Sequence, residues 1–137
     1  MKIYFAGSIR GGREDKETYA KIIDYLKDFG DILTEHVGNL NLTASGEENG
    51  NDVYIYNRDI NWIKEADILI AEVTTPSLGV DYELAFAEKL KKPILCLFNE
   101  TNNRRLSAMI TGNTYFKVYK YKTIEEAKEI INDFLQE

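Results

Sequence analysis

The sequence predicts an α/β fold: a five-stranded parallel sheet with helices on both faces, as one domain over residues 1–137. Three observations carry this. Short apolar runs of strand length alternate with longer amphipathic runs, in the order β-α-β-α-β-α-β-α-β-α, and such alternation calls for parallel strands joined by crossovers. Asp67-Ile-Leu-Ile-Ala-Glu72 and Pro93-Ile-Leu-Cys-Leu-Phe98 are apolar through their middles, as strands covered on both faces are. A chain of 137 residues buries roughly 68% of its unfolded surface, enough for one core and too little for two.

Residues 2–6 read as the first strand. Tyr19, Ile22, Ile23, Leu26 and Phe29 fall at helical spacing within 13–29, and Gly30 supplies a stop. Ile32-Leu33-Thr34 is a short second strand, and 38–51 is turn-rich, polar and read as a mobile loop. Helices are expected over 52–65 and 79–91, with the third strand between them. The fourth strand is 93–98, a short helix covers 103–111, and Phe116–Tyr119 is the fifth strand. Thr123 caps the closing helix to Gln136, with Glu126 three residues on.

Composition narrows the function. Seventeen basic and 23 acidic residues give a net charge of −6, which disfavours general nucleic-acid binding and anionic membranes. Tyr115, Tyr119 and Tyr121 alternating with Lys117, Lys120 and Lys122 fit a terminal strand better than a base-stacking surface. The single cysteine, Cys96, sits in an apolar run and reads as a buried thiol; with one histidine, His36, no zinc cluster can form. No apolar stretch approaches a membrane span and the chain opens directly on a strand, so a cytoplasmic location is expected. No metal or cofactor is expected.

In such a sheet, ligands sit at the carboxyl ends of strands. Gly7-Ser8-Ile9-Arg10-Gly11-Gly12-Arg13 follows the first strand. Its glycines admit close backbone approach, its amides face a helix start, and Arg10 and Arg13 add charged donors. The segment reads either as a phosphate or carboxylate site or as an ordinary strand-to-helix turn. Tyr56, Asp59, Ile60 and Ile63 put Asp59 in an apolar stripe, and Val80, Glu83, Leu84 and Ala87 do the same for Glu83. An inward carboxylate needs donors or a shifted pKa. Either these are satisfied helix acids, or they are paired carboxylates suited to glycosidic cleavage. Thr74–Gly79 is a capped turn or a second donor set, with Ser77 near the N-cap. His36 is structural or touches a ligand. Tyr4 packs in the core, and a carboxylate would be a natural partner for its hydroxyl.

These blocks converge on a family. Tyr4–Glu14, Leu33-Thr-Glu-His36, Asp59-Ile-Asn-Trp62, Ala66-Asp67, Ala71-Glu-Val-Thr74, Pro76-Ser-Leu-Gly-Val80, Tyr82-Glu-Leu84, Ile94–Phe98 and Leu106-Ser-Ala-Met-Ile110 resemble the 2′-deoxynucleoside 5′-monophosphate N-glycosidases, relatives of the nucleoside 2-deoxyribosyltransferases. The resemblance implies a flavodoxin-like, Rossmann-like fold, a homodimer and no metal, with hydrolysis of the bond between a nucleobase and deoxyribose 5-phosphate. It implies Glu83 as nucleophile, Asp59 as acid/base and Tyr4 as the residue orienting the nucleophile. Gly7, Ser8, Ile9, Arg10, Gly11, Gly12 and Arg13 would surround the phosphate, with Ser77 and Gly79 beside them. His36 would line the pocket near the base, and Ser107, with Met109, would complete the neighbouring subunit's site. Glu83 must be charged, and Asp59 must hold a proton, at the reacting moment.

Two departures stand out. Asp81 occupies a position where a close relative has a small residue, and the 38–51 loop differs in length and composition. Ser77 is neutral where transferases of unphosphorylated nucleosides usually carry an acid; a serine can bond phosphate and an aspartate would repel it. The rival readings are a deoxyribosyltransferase, a ribonucleotide hydrolase and a non-catalytic nucleotide-binding module.

Overall fold

The computed structural model describes residues 1–9, 15–38 and 51–137. Strands β1 (Lys2–Ala6), β2 (Asp31–Ile32), β3 (Ile68–Glu72), β4 (Ile94–Asn99) and β5 (Lys117–Tyr121) form one sheet. Helices α1 (Lys16–Leu26), α2 (Asp52–Glu65), α3 (Leu78–Lys89), α4 (Ala108–Thr111) and α5 (Ile124–Leu135), with a 3₁₀ turn at Glu35–Gly38, connect them. Every pairing is parallel, in the order β2-β1-β3-β4-β5. The chain steps outward from β1 to β2, then crosses back to β3 on the other side of β1. That reversal opens a crevice at the carboxyl ends of β1 and β3, where ligands settle in this strand order.

Alternation along the strands builds two cores. Ile3, Phe5, Ile70, Leu95 and Leu97 face Tyr19, Ile22 and Leu26 of α1 and Ala127 and Ile131 of α5. Tyr4, Leu69, Ala71, Ile94 and Cys96 face Ile63 of α2 and Val80, Leu84 and Ala87 of α3. Cys96 is the buried thiol its neighbours imply, and burial pushes its pKa up to about 12. Among the described residues, no helix is long and apolar enough to cross a membrane.

The caps set the helix starts. Asn51 Oδ1 accepts from Tyr54 N at 2.8 Å, Ser77 Oγ from Val80 N at 3.2 Å and Thr123 Oγ1 from Glu126 N at 3.2 Å. Glu126 reaches back one residue further than a standard capping box, to Lys122 N.

Three of the differences from the sequence expectation have a visible cause, and the fifth strand also runs on to Tyr121. The second strand ends at Ile32, because Thr34 turns inward and its hydroxyl both accepts from Phe5 N (2.8 Å) and donates to Phe5 O (2.6 Å). A side chain thus replaces a rung of the ladder. The helix expected over 103–111 is only Ala108–Thr111; the side chains of Asn99 and Asn102 capture Thr101 N and Arg104 N and hold that segment in turns. Helix α1 ends at Leu26 with Lys27 as C-cap, so Gly30 is not its stop. A Cβ at Gly30 would lie 2.2 Å from the Met1 carbonyl oxygen, and that close approach is what requires glycine. Arg10, Gly11, Gly12 and Arg13, and the loop over 39–50, lie outside the described residues.

Candidate active site

A cavity of about 620 Å³ occupies the crevice, a size that suits a small organic ligand. Among the described residues, four segments wall it. Gly7 and Ile9 come from the end of β1, His36 from the 3₁₀ turn, Arg58 and Asp59 from α2, and Ser77, Gly79 and Glu83 from the start of α3. The first strand can enter because Gly7 lacks a side chain: a Cβ there would lie 3.0 Å from the Tyr19 ring. Ser8 is buried between the two lining residues, and its amide donates to Tyr19 Oη at 3.1 Å.

Glu83 and Asp59 border this one cavity from different helices. Tyr4, fully buried on β1, donates its hydroxyl to Glu83 Oε2 across 79 residues of sequence. Burial raises the Glu83 pKa to about 8. Asp59 has different surroundings. Arg58 donates from Nε to Asp59 Oδ1 at 3.0 Å, and its Nη2 reaches the same oxygen at 3.0 Å. The two carboxyl environments are unequal, as two-acid chemistry needs. Burial favours the proton on Glu83, and a cation sits against Asp59.

Ser107 and Met109, expected to complete the neighbouring subunit's site, lie outside this chain's cavity. Ser107 caps α4 and is exposed, and Met109 is 82% exposed; neither lines the cavity. Asp81 is exposed on α3 and also outside the lining, so it does not crowd Glu83 from within the cavity. Partial burial raises its pKa, and its charge contributes to the upward shift of Cys96.

Several cavity residues escaped the sequence reading. Arg58 was one, and Tyr56 and Tyr82 were others; their hydroxyls lie 3.2 Å apart at the cavity and their rings meet edge to face. Tyr56 is 51% exposed, so it belongs to the cavity wall rather than to the apolar stripe. The spacing Tyr54, Arg58, Trp62 was the available signal, because residues four apart share a helix face.

A second buried acid lies on the opposite face of the sheet. Glu72 accepts from Thr74 N and Thr74 Oγ1, both at 2.8 Å, and from Tyr121 Oη. Burial raises its pKa to about 7, against the opposing effect of these donors. Tyr121 is therefore a core residue and not part of an exposed tyrosine stripe. Among the described residues, no group of three or more His, Cys, Asp or Glu side chains is arranged to hold a metal ion.

The family model for nucleoside 2-deoxyribosyltransferases matches residues 3–132. The chain belongs to the nucleoside 2-deoxyribosyltransferase family. Within this family's neighbourhood it is 52% identical over 123 residues to a 5-hydroxymethyl-dUMP N-hydrolase of Rattus norvegicus, covering 87% of this chain and 76% of that protein. It is 46% identical over 138 residues to a protein of the same name from Tetraodon nigroviridis, covering 98% and 96%. The fold is shared with the CMP N-glycosidase of Clostridium botulinum, at a TM-score of 0.72 and 19% identity, covering 98% of this chain and 99% of that one.

Proposed function

We propose that the protein hydrolyses the N-glycosidic bond of 2′-deoxynucleoside 5′-monophosphates, releasing a nucleobase and 2-deoxyribose 5-phosphate. One observation carries the residue assignments: Glu83, held by Tyr4, and Asp59 border the same cavity at the switch point of the sheet. The relatives named as 5-hydroxymethyl-dUMP N-hydrolases support the substrate class.

In this reading the Glu83 carboxylate attacks the anomeric carbon as the bond to the base nitrogen breaks. The bonding pair leaves with the base, which takes a proton from Asp59. Asp59 then accepts a proton from water, whose oxygen displaces Glu83 from the sugar. Two displacements retain the anomeric configuration. Tyr4 orients Glu83. The segment Gly7–Arg13 and the Ser77-capped start of α3 are the assigned phosphate site, because arginine side chains and the helix dipole favour an anion. Phosphate binding away from the reacting bond supplies orientation. A homodimer in which Ser107 of the partner subunit, flanked by Met109, completes the site, and a cytoplasmic location, belong to the same proposal.

Base exchange is the second reading. The neutral Ser77 at the cavity favours hydrolysis of phosphorylated substrates, since an acid there would repel phosphate. The test is a panel crossing base, sugar and phosphate state, with 5-hydroxymethyl-dUMP included. Free base from deoxynucleoside monophosphates, and little from nucleosides, is the expected result. Absence of free base from every monophosphate, with the fold intact, overturns the proposal. Faster base exchange on unphosphorylated nucleosides favours the transferase.

A further inference from the structure

Side chains at adjacent positions of a helix diverge by about 100°, so Arg58 and Asp59 would not normally meet. Here they do, because the Arg58 guanidinium lies along a ladder on one face of α2. Its centre is 4.7 Å from the Trp62 ring centroid and 5.7 Å from that of Tyr54, its neighbours four residues on either side. Stacking between two rings fixes the plane of the guanidinium. Its nitrogens then point at Asp59 Oδ1 (3.0 Å) and His36 Nε2 (3.4 Å). Arginine only donates, so in this contact His36 Nε2 is the acceptor. The Arg58 side chain is 17% exposed and that of Asp59 24%, so water screens the pair only weakly.

We propose that Arg58 is a positioning residue that holds Asp59 as the carboxylate before substrate binds, so that the one proton held by these two acids starts on Glu83. This rests on the reading of Asp59 as acid/base and Glu83 as nucleophile. The reactive arrangement is the other tautomer, with Glu83 as carboxylate and Asp59 as acid. One proton leaves Glu83 and one arrives on Asp59, with no net change of charge. Arg58 thereby sets how rare the reactive arrangement is. The charged and titratable groups around the pair, among the described residues, are Arg58, Asp52 and Tyr56 on α2, His36 on the 3₁₀ turn, Tyr82 on α3 and Tyr4 on β1.

The pH dependence of kcat/KM tests this, because its two limbs report the essential acid and base of the free enzyme. With 5-hydroxymethyl-dUMP as the probe, the alkaline limb of the wild type is expected near pH 8, where the last proton leaves the buried Glu83. The acidic limb reports protonation of Asp59. Arg58→Gln should move the acidic limb up by about one unit or more, because a nearby cation is lost, and leave the alkaline limb in place. Arg58→Lys keeps the charge but not the stacked fork, so it should leave the alkaline limb in place and move the acidic limb by less than Arg58→Gln does. An unmoved acidic limb in Arg58→Gln, or a change confined to KM, overturns the inference. Asp59→Asn separates the two layers. If it keeps wild-type kcat/KM, the acid/base reading fails and this inference with it. If it is inactive while Arg58→Gln shows no shift, only the inference fails.

Discussion

Glu72 and Glu83 are both enclosed acids near the carboxyl ends of the central strands, on opposite faces of the sheet. Burial raises both, to about 7 and about 8. Glu72 is surrounded by donors: an amide, a threonine hydroxyl and a tyrosine hydroxyl. Those bonds tie the end of β3 to the following turn and to β5. Glu83 has one tyrosine hydroxyl and otherwise opens onto the cavity. Glu72 is fully buried and Glu83 half-buried; in the proposed mechanism the same residue type is a strut when its lone pairs are filled and a reagent when one oxygen faces the cavity. Burial alone does not separate the two roles; the number of donors and the adjoining space do.

The comparison can be broken most decisively by Glu83→Gln. Turnover should fall on the order of 10³-fold or more, the scale on which loss of a nucleophile registers, while the Tm holds or rises. An active Glu83→Gln enzyme would remove the reagent half of the contrast. Tyr4→Phe is the next largest. Losing a hydrogen bond to a charged group costs about 1.5–3 kcal/mol, so kcat should drop about 10- to 100-fold, measured by release of free base. Glu72→Ala should do the opposite of Glu83→Gln. It strands the buried Thr74 amide and Tyr121 hydroxyl, at about 1–3 kcal/mol for an unsatisfied group, and denaturant unfolding should show that loss. Turnover per folded molecule should change little.

The pH dependence of stability sharpens the same contrast. Both acids have folded values above their ordinary 4.5. Between 4.5 and the raised value the native state holds more protons than the unfolded chain, so stability falls as pH rises. The Glu72 contribution is lost by about 7 and that of Glu83 by about 8. Glu72→Gln should flatten the decline in Tm up to neutrality, and Glu83→Gln the part extending beyond it. The smallest effect belongs to Gly79→Ala. The nearest atom to an added Cβ is Ser77 Oγ at 3.8 Å, so the fold accepts it and the helix gains up to about 1 kcal/mol. The methyl enters the cavity wall, so KM should rise while Tm does not fall.

The sheet and the inward carboxylates were legible in the sequence because both rest on periodicity. Alternating runs gave the strand order its parallel character, and the Asp59 and Glu83 stripes put each acid on a buried helix face. Tyr4 was legible as a hydroxyl in search of a carboxylate. Arg58 was not, because a charge beside an acid on a helix reads as a solvated surface; only the aromatic residues four positions away turn it back toward Asp59. Glu72 was hidden at a strand end, since its partner Tyr121 lies 49 residues on in what reads as an alternating terminal strand. The second strand was overextended because no local pattern announces that Thr34 will splice its hydroxyl into β1.

That splice has a consequence for behaviour at high concentration. Among the described residues, the rim of the sheet beyond β1 offers a two-residue strand, too short to template the backbone of another molecule. The opposite rim, β5, carries exposed Lys117 and Lys120, whose like charges discourage a neighbouring copy from pairing there. A protein blunted at both rims should resist fibrillar growth from its native state, leaving loss of the flanking helices as the route by which aggregation begins.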